Sequence, residues 1–378
     1  MNMRTITLWI CKIFGLFWLS SKLTSKYLRI LGYHAFSLKD EHKFRPNMFM
    51  QYDTFLLRMK YLQKNKYNVV CLDDAMKMIQ RGDIRKNTVV ITIDDGFYSV
   101  FKIAMPVLQK FNFPATLYLT THYFNHGKPV FSLVIQYMFW KSKIKNQEIL
   151  DKLRMVYQDL NNDLKNEEDI ISKLIEYGTE FLDEEEKDRF LVKLGEILDI
   201  NYDTIYDSRI LSLINDEELS ILKQNKINIQ LHTHTHAMPD DKNALNKEIK
   251  KNRAKIDDHV DYKLIHFCYP SGQWSEDNFE ILTECGILSG VTCDPGLNTV
   301  SQNLLSLRRF LDADNDKQIE FEAALSGFKY LVKKVIKSIK KLLTWLIHKL
   351  RNNTDKGLKL FKLQIILAQY YDIFYLFE

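Results

Sequence analysis

A chain of 378 residues with 46% hydrophobic and 12% aromatic content can bury a large core, which excludes disorder on the scale of the whole chain and favours one large domain with appendages. The formal net charge of +5, from 53 Lys+Arg against 48 Asp+Glu, is too small an excess to imply a nucleic-acid partner. The five cysteines (Cys11, Cys71, Cys268, Cys285, Cys293) are odd in number and scattered without a CxxC pair, so neither a disulfide framework nor a thiolate zinc site is suggested and a reducing compartment fits best.

Residues 1–29 carry Arg4, Lys12, Lys22, Lys26 and Arg29 with no acid, around the apolar run Ile6 to Leu19, which Lys12 interrupts. The run is short for a membrane span, and Ser20-Ser21 is a poor cleavage site for a signal peptide. An uncleaved basic amphipathic helix is expected. Short apolar or β-branched runs follow at Tyr27 to Tyr33, Thr88 to Ile93, Ala115 to Leu119, Ile227 to Leu231, Leu264 to Tyr269 and Ile287 to Thr292. Helix-like stretches such as Tyr52 to Lys64 and Ala244 to Asp258 lie between them, a βα alternation that predicts an α/β barrel or open parallel sheet.

Between about 122 and 225 the alternation gives way to charged helical sequence, such as Asn146 to Leu160 and Asp183 to Leu198, which predicts a helical insertion. The catalytic domain is therefore placed at 30–326, with the tail at 327–378. In that tail, Phe328 to Arg351 holds eight Lys or Arg residues without an acid, while Val332, Val335, Ile336, Ile339, Leu343, Leu346 and Leu350 recur at helical spacing. This suits a basic amphipathic helix on an anionic membrane surface, or equally a helix packed on the domain with its basic face solvated.

The chemistry sits at strand ends. Thr92-Ile93-Asp94-Asp95-Gly96 puts two adjacent carboxylates on the rim, where one can bind a cation while the other serves as a base; alone, such a motif is more often a strand-ending turn. Leu231-His232-Thr233-His234-Thr235-His236 follows another strand. Imidazoles at i and i+4 can converge on one ion, and a carboxylate completes a three-ligand site with room for water; a solvated histidine cluster is the alternative.

An Asp-Asp-Gly after a strand, followed much later by His-Thr-x-Thr-His, resembles the first two motifs of the polysaccharide deacetylase family, the NodB-like domains. Phe267-Cys268-Tyr269-Pro270-Ser271-Gly272 is similar to the third motif, and Gly290 to Asn298 and Leu305 to Phe310 to later segments. The resemblance covers roughly Ile30 to Gly327. It implies a distorted (β/α) barrel with Asp94 as general base, and Asp95, His232 and His236 as ligands of a divalent metal ion, zinc first, with cobalt, nickel or manganese as alternatives. A backbone amide beside Tyr269 would bind the developing oxyanion.

Two departures stand out. The third motif of the family usually begins with an Arg that orients the base, and Cys268 stands there instead. The usual late Leu-x-x-His is missing, whereas Leu31-Gly32-Tyr33-His34 closes the first strand with that pattern, and a barrel sets first and last strands side by side, so His34 is the expected general acid. The implied activity is removal of N-acetyl groups from an amino-sugar-containing glycan, polymeric or lipid-linked. The competing expectation is a membrane-associated glycan-binding protein that keeps a degenerate deacetylase barrel. An amidohydrolase-type barrel is disfavoured because its HxH comes early and its metal-binding Asp late. Nucleic-acid binding lacks recognition motifs. Two basic amphipathic ends place the protein at the cytoplasmic face of a membrane.

Overall fold

The computed structural model describes residues 3–144, 149 and 166–351. Its main sheet is parallel, with strands β1 (Arg29–Tyr33), β5 (Thr88–Ile93), β6 (Ala115–Leu119), β7 (Ile227–Leu231), β8 (His266–Cys268), β9 (Ser289–Val291) and β10 (Phe310–Leu311) in the order β10-β1-β5-β6-β7-β8-β9. A short strand, β4 (Asn68–Val69), joins β5 at Thr88 and Val89, on the edge that β6 takes further along at Thr92 and Ile93. A separate pair, β2 (Ala35–Phe36) with β3 (Phe49–Met50), follows the first strand. The main sheet curls on itself: Leu307 bridges Val291 of β9, and a few residues on β10 pairs with β1. First and last strands are thus neighbours, and the fold is a distorted α/β barrel.

The strands form because their residues are buried on both faces, as parallel strands between helices require. Every residue of β1, β5 and β6 is buried. The helix Tyr52–Lys64 presents Phe55, Met59 and Leu62 to this core, at the spacing of one helical face. Arg58, on the same helix, is also buried and pairs with Asp312 at 3.0 Å, while Tyr33 donates to Asp312 at 3.3 Å. Arg58→Ala would leave that carboxylate uncompensated in the interior, so a loss of about 3–5 kcal/mol of stability is expected in urea unfolding. A loss below about 1 kcal/mol would mean that the pair contributes no more than an exposed one.

Between β6 and β7 the described residues form helices Phe131–Lys141, Glu167–Phe181, Glu184–Leu198, Tyr202–Ser208 and Asp216–Gln224. Several begin with side-chain caps, including a capping box in which Asp183 and Glu186 satisfy each other's backbone. They share a core of their own, built on Phe131, Val134, Met138, Leu191 and Leu194. The expected helix Asn146 to Leu160 lies outside the described residues, apart from Ile149.

At the N-terminus two helices, Met3–Ile13 and Leu16–Leu23, meet at 72° across Gly15. No single described helix is long and apolar enough to cross a membrane, although this bent pair meets the test of length and composition. Leu8 and Phe17 pack on Ile319, Ala323 and Phe328, so the N-terminal pair is fastened to the start of the basic helix Phe328–Arg351. Buried Arg29 ties the same region together by donating to the carbonyls of Leu325, Thr24 and Tyr27.

Candidate active site

The backbone pairing of β1 with β5 continues one step past the strand, where the Asp94 amide donates to the Tyr33 carbonyl. The chain then turns sharply. Asp95 and Gly96 have φ of 70° and 91°, a left-handed pair that throws the Asp95 carboxylate over the end of the sheet. At Gly96 a Cβ would also run into the Leu119 side chain, so glycine is required there on two counts. The histidine segment after β7 is clamped onto the exit of β6: the His234 carbonyl accepts from the amides of Thr121 and His122 and from the Thr120 hydroxyl. Thr233 and His236 both adopt φ of 59°, again strained backbone next to the site.

This geometry gathers Asp95, His232 and His236, with the Nε2 atoms of both histidines 3.3 Å from Asp95 Oδ1. That oxygen is buried and makes no hydrogen bond, an orphan acceptor of the kind a cation satisfies. His232 Nδ1 lies 2.8 Å from the Cys268 carbonyl, which can only accept; Nδ1 therefore carries a proton and Nε2 is the nitrogen turned to Asp95. One carboxylate and two imidazoles, with His236 partly open to solvent, fit a divalent ion with an exchangeable position. His234 stays out of the group, its ring nitrogen 3.0 Å from the Thr121 hydroxyl, so an HxH pair is not formed. Asp94, His232 and Cys268 also approach one another, but Asp94 is held by an arginine and burial pushes the Cys268 thiol up, so that set lacks free anionic ligands.

Burial disfavours the His232 cation, yet Cys268 and the carboxylates of Asp95 and Asp94 outweigh it and raise the imidazole well above its ordinary value. The sign follows: without an ion His232 holds a second proton at neutral pH, and a metal must displace it. Zinc binding is expected to release a proton and to weaken as pH falls, which titration calorimetry in buffers of different ionisation enthalpy measures. Binding without proton release would contradict this protonation state.

Asp94 is wholly buried beside the ligand group. The guanidinium of Arg309 grips it with both arms, Nη1 to Oδ1 and Nη2 to Oδ2, each at 2.8 Å. Arg309 is fixed in turn by the Thr292 carbonyl at 2.9 Å and the Thr92 hydroxyl at 3.0 Å. Burial alone would push the Asp94 carboxyl up; the Arg309 charge and its paired hydrogen bonds hold it far below the usual carboxylate range. Cys268 donates its S–H weakly to Asp94 Oδ2 at 3.4 Å. The position left without an arginine in the third motif is thus occupied by a thiol, and the guanidinium arrives from the segment before β10. Sequence reasoning noted the stretch Leu305 to Phe310 and missed Arg309.

His34 Nε2 lies 3.8 Å from Asp94 Oδ2, and His34 lines the same cavity of about 550 Å³ as the ligand group. Tyr269 borders it too, with its hydroxyl donating to the Leu305 carbonyl at 2.7 Å and its amide to the Val291 carbonyl at 3.3 Å. That amide is engaged in the pairing of β8 with β9, so it must leave a long bond before it can receive an oxyanion.

The polysaccharide deacetylase family model matches residues 201–289, a stretch that includes β7, the histidine segment and the Tyr-Pro motif. IcaB from Ammonifex degensii superposes with a TM-score of 0.51 at 16% identity, over 80% of this chain and 97% of that one. The deacetylase PplD of Streptococcus pyogenes, solved in complex with acetate, gives 0.50 at 16% identity, over 76% and 93%. At such identities the likeness concerns the fold. A comparison with curated proteins finds no match. The class defined by this fold and motif set is a hydrolase acting on carbon–nitrogen bonds other than peptide bonds. Residues 201–289 match the polysaccharide deacetylase family model, and the fold of the chain is similar to that of solved deacetylases.

Proposed function

We propose that this protein removes acetyl groups from an N-acetylated amino sugar within a glycan, either polymeric or lipid-linked. The observation that carries the reading is a buried carboxylate kept ionised by Arg309 beside the Asp95, His232 and His236 ligand group, all facing one cavity. A divalent ion held by those three residues, zinc being the first candidate, would supply Lewis acidity toward the acetamide carbonyl. Asp94 takes the proton of the attacking water, as an ionised carboxylate on the rim can. His34, on the same cavity wall, gives a proton to the departing amine. The products are acetate and a free amino sugar. The presence of acetate in the related PplD structure agrees with this chemistry.

The test is acetate release from N-acetylglucosamine oligomers and from lipid-linked acetamido sugars, using metal-stripped protein and protein restored with zinc or cobalt. Release that returns with the metal supports the reading; no release from either substrate class despite tight metal binding favours a glycan-binding role.

We also place the enzyme on the cytoplasmic face of a membrane. Support comes from its exposed apolar residues: Ile13, Phe14 and Trp18 are 77%, 78% and 67% exposed on the N-terminal helices and the turn between them, and Trp345 is 56% exposed on the basic helix. Cell fractionation in low salt that leaves the protein wholly soluble would contradict this placement.

A further inference from the structure

Arg308 and Arg309 are neighbours in the extended segment entering β10, so their side chains leave on opposite sides. Arg309 turns inward to Asp94; Arg308 turns outward and lines a second cavity of about 450 Å³. The other wall is the start of the basic helix, which contributes Lys329, Lys333, Lys334 and Lys337, joined by Arg4 of the first helix. Three acids, Asp312, Asp316 and Glu320, share the lining, but Asp312 is paired with Arg58 at 3.0 Å and Glu320 with Arg4 at 3.0 Å. With the Arg4–Glu320 pair and the Arg58-held Asp312 set aside, five cations of the lining face the single carboxylate of Asp316.

Among the described residues, Arg308, Lys329, Lys334 and Lys337 make no ion pair. Lys329 is the most telling. It is largely buried; burial first, then the nearby Arg4 charge, lowers its ammonium below the ordinary value, and the Asp316 and Glu320 carboxylates offset this only in part. A cation in that position is costly unless an anion joins it. Both helices that flank the cavity also carry exposed apolar side chains, Ile6 and Ile10 on one, at 43% and 48%, and Val335 and Leu342 on the other, at 55% and 56%. A concave cationic site between two apolar-faced helices matches the layering of a bilayer surface, where phosphate lies above acyl chains.

We propose that this cavity binds the phosphate group of an anionic phospholipid headgroup and so docks the enzyme on its membrane. The inference deepens the membrane placement above and is independent of the deacetylation chemistry. The experiment is co-sedimentation of the full-length chain with phosphatidylcholine vesicles, with and without phosphatidylglycerol. It compares Arg308→Gln/Lys329→Gln with Lys340→Gln/Lys341→Gln, which removes equal charge from the basic helix beyond the cavity. Lys334→Gln/Lys337→Gln, at exposed cavity positions, repeats the test without disturbing packed residues.

A cation near an anionic surface contributes roughly fivefold in binding, so charge alone would cost the control pair up to about 25-fold, and each cavity pair is expected to lose clearly more than the control. Equal losses in all three variants would leave a diffuse basic surface and overturn the cavity. Absence of sedimentation with wild-type protein would overturn the cavity and the membrane placement together. Inorganic phosphate that binds the wild type but not the cavity variants, without vesicle binding, would assign the site to a free anion and overturn the lipid.

Discussion

Replacing Arg309 by Met is expected to lower kcat for acetate release by about 10²–10³-fold while metal binding is retained. The magnitude follows from truncating one partner of a fully buried, doubly hydrogen-bonded charge pair, worth about 3–5 kcal/mol, with part of that cost falling on the Asp94 ionisation itself. In the intact site Arg309 overcomes the burial of Asp94 and keeps it ionised. Without the guanidinium, burial dominates and the carboxyl moves up, so less of it is ionised at neutral pH and the base is lost as pH falls through the new value. The acid limb of the kcat/KM profile should therefore shift to higher pH, and the variant should regain activity as pH rises. Arg309→Lys keeps the charge but not the fork, so it should restore the pH limb more fully than kcat. A profile that does not move would make Arg309 merely structural.

Why this residue escaped the sequence while Asp94, Asp95, His232 and His236 did not is a matter of geometry. The four belong to motifs in which spacing encodes the site: adjacent acids at a strand end, and histidines at i and i+4 before a turn. Arg309 reaches Asp94 across 215 residues of chain. Two adjacent arginines before a two-residue strand show no periodicity that says which one faces inward. His34 is singled out by a Leu-x-x-His pattern that closes the first strand, and the structure sets β10 beside β1 and His34 on the cavity wall. The strands Thr88–Ile93, Ala115–Leu119 and Ile227–Leu231 coincide with their apolar runs because both faces are buried. The run Leu264 to Tyr269 shortens to His266–Cys268, where the amides of Ile265 and His266 both donate to the Gln230 side chain. The run from Tyr27 begins the parallel strand only at Arg29, because Leu28 pairs antiparallel with Asn298. Such side-chain and long-range pairings leave no mark in local hydrophobicity.

The two proton-transfer groups can be separated by changing the leaving group. Asp94→Asn and His34→Ala should each lower acetate release from an N-acetylated sugar by about 10²–10⁴-fold, the usual span for a lost general base or acid. The amine is a poor leaving group unless protonated, whereas the phenolate expelled from 4-nitrophenyl acetate departs without help. With that ester the His34→Ala deficit should shrink to within about tenfold, because attack by water still depends on Asp94 but departure no longer depends on His34. The Asp94→Asn deficit should persist. Equal deficits on both substrates would remove His34 from the acid role and leave it as a neighbour of the Asp94 carboxylate, 3.8 Å away. A deficit confined to the amide would assign the missing late histidine of the family to the first strand, where the closed barrel makes chain order irrelevant to which side chains meet.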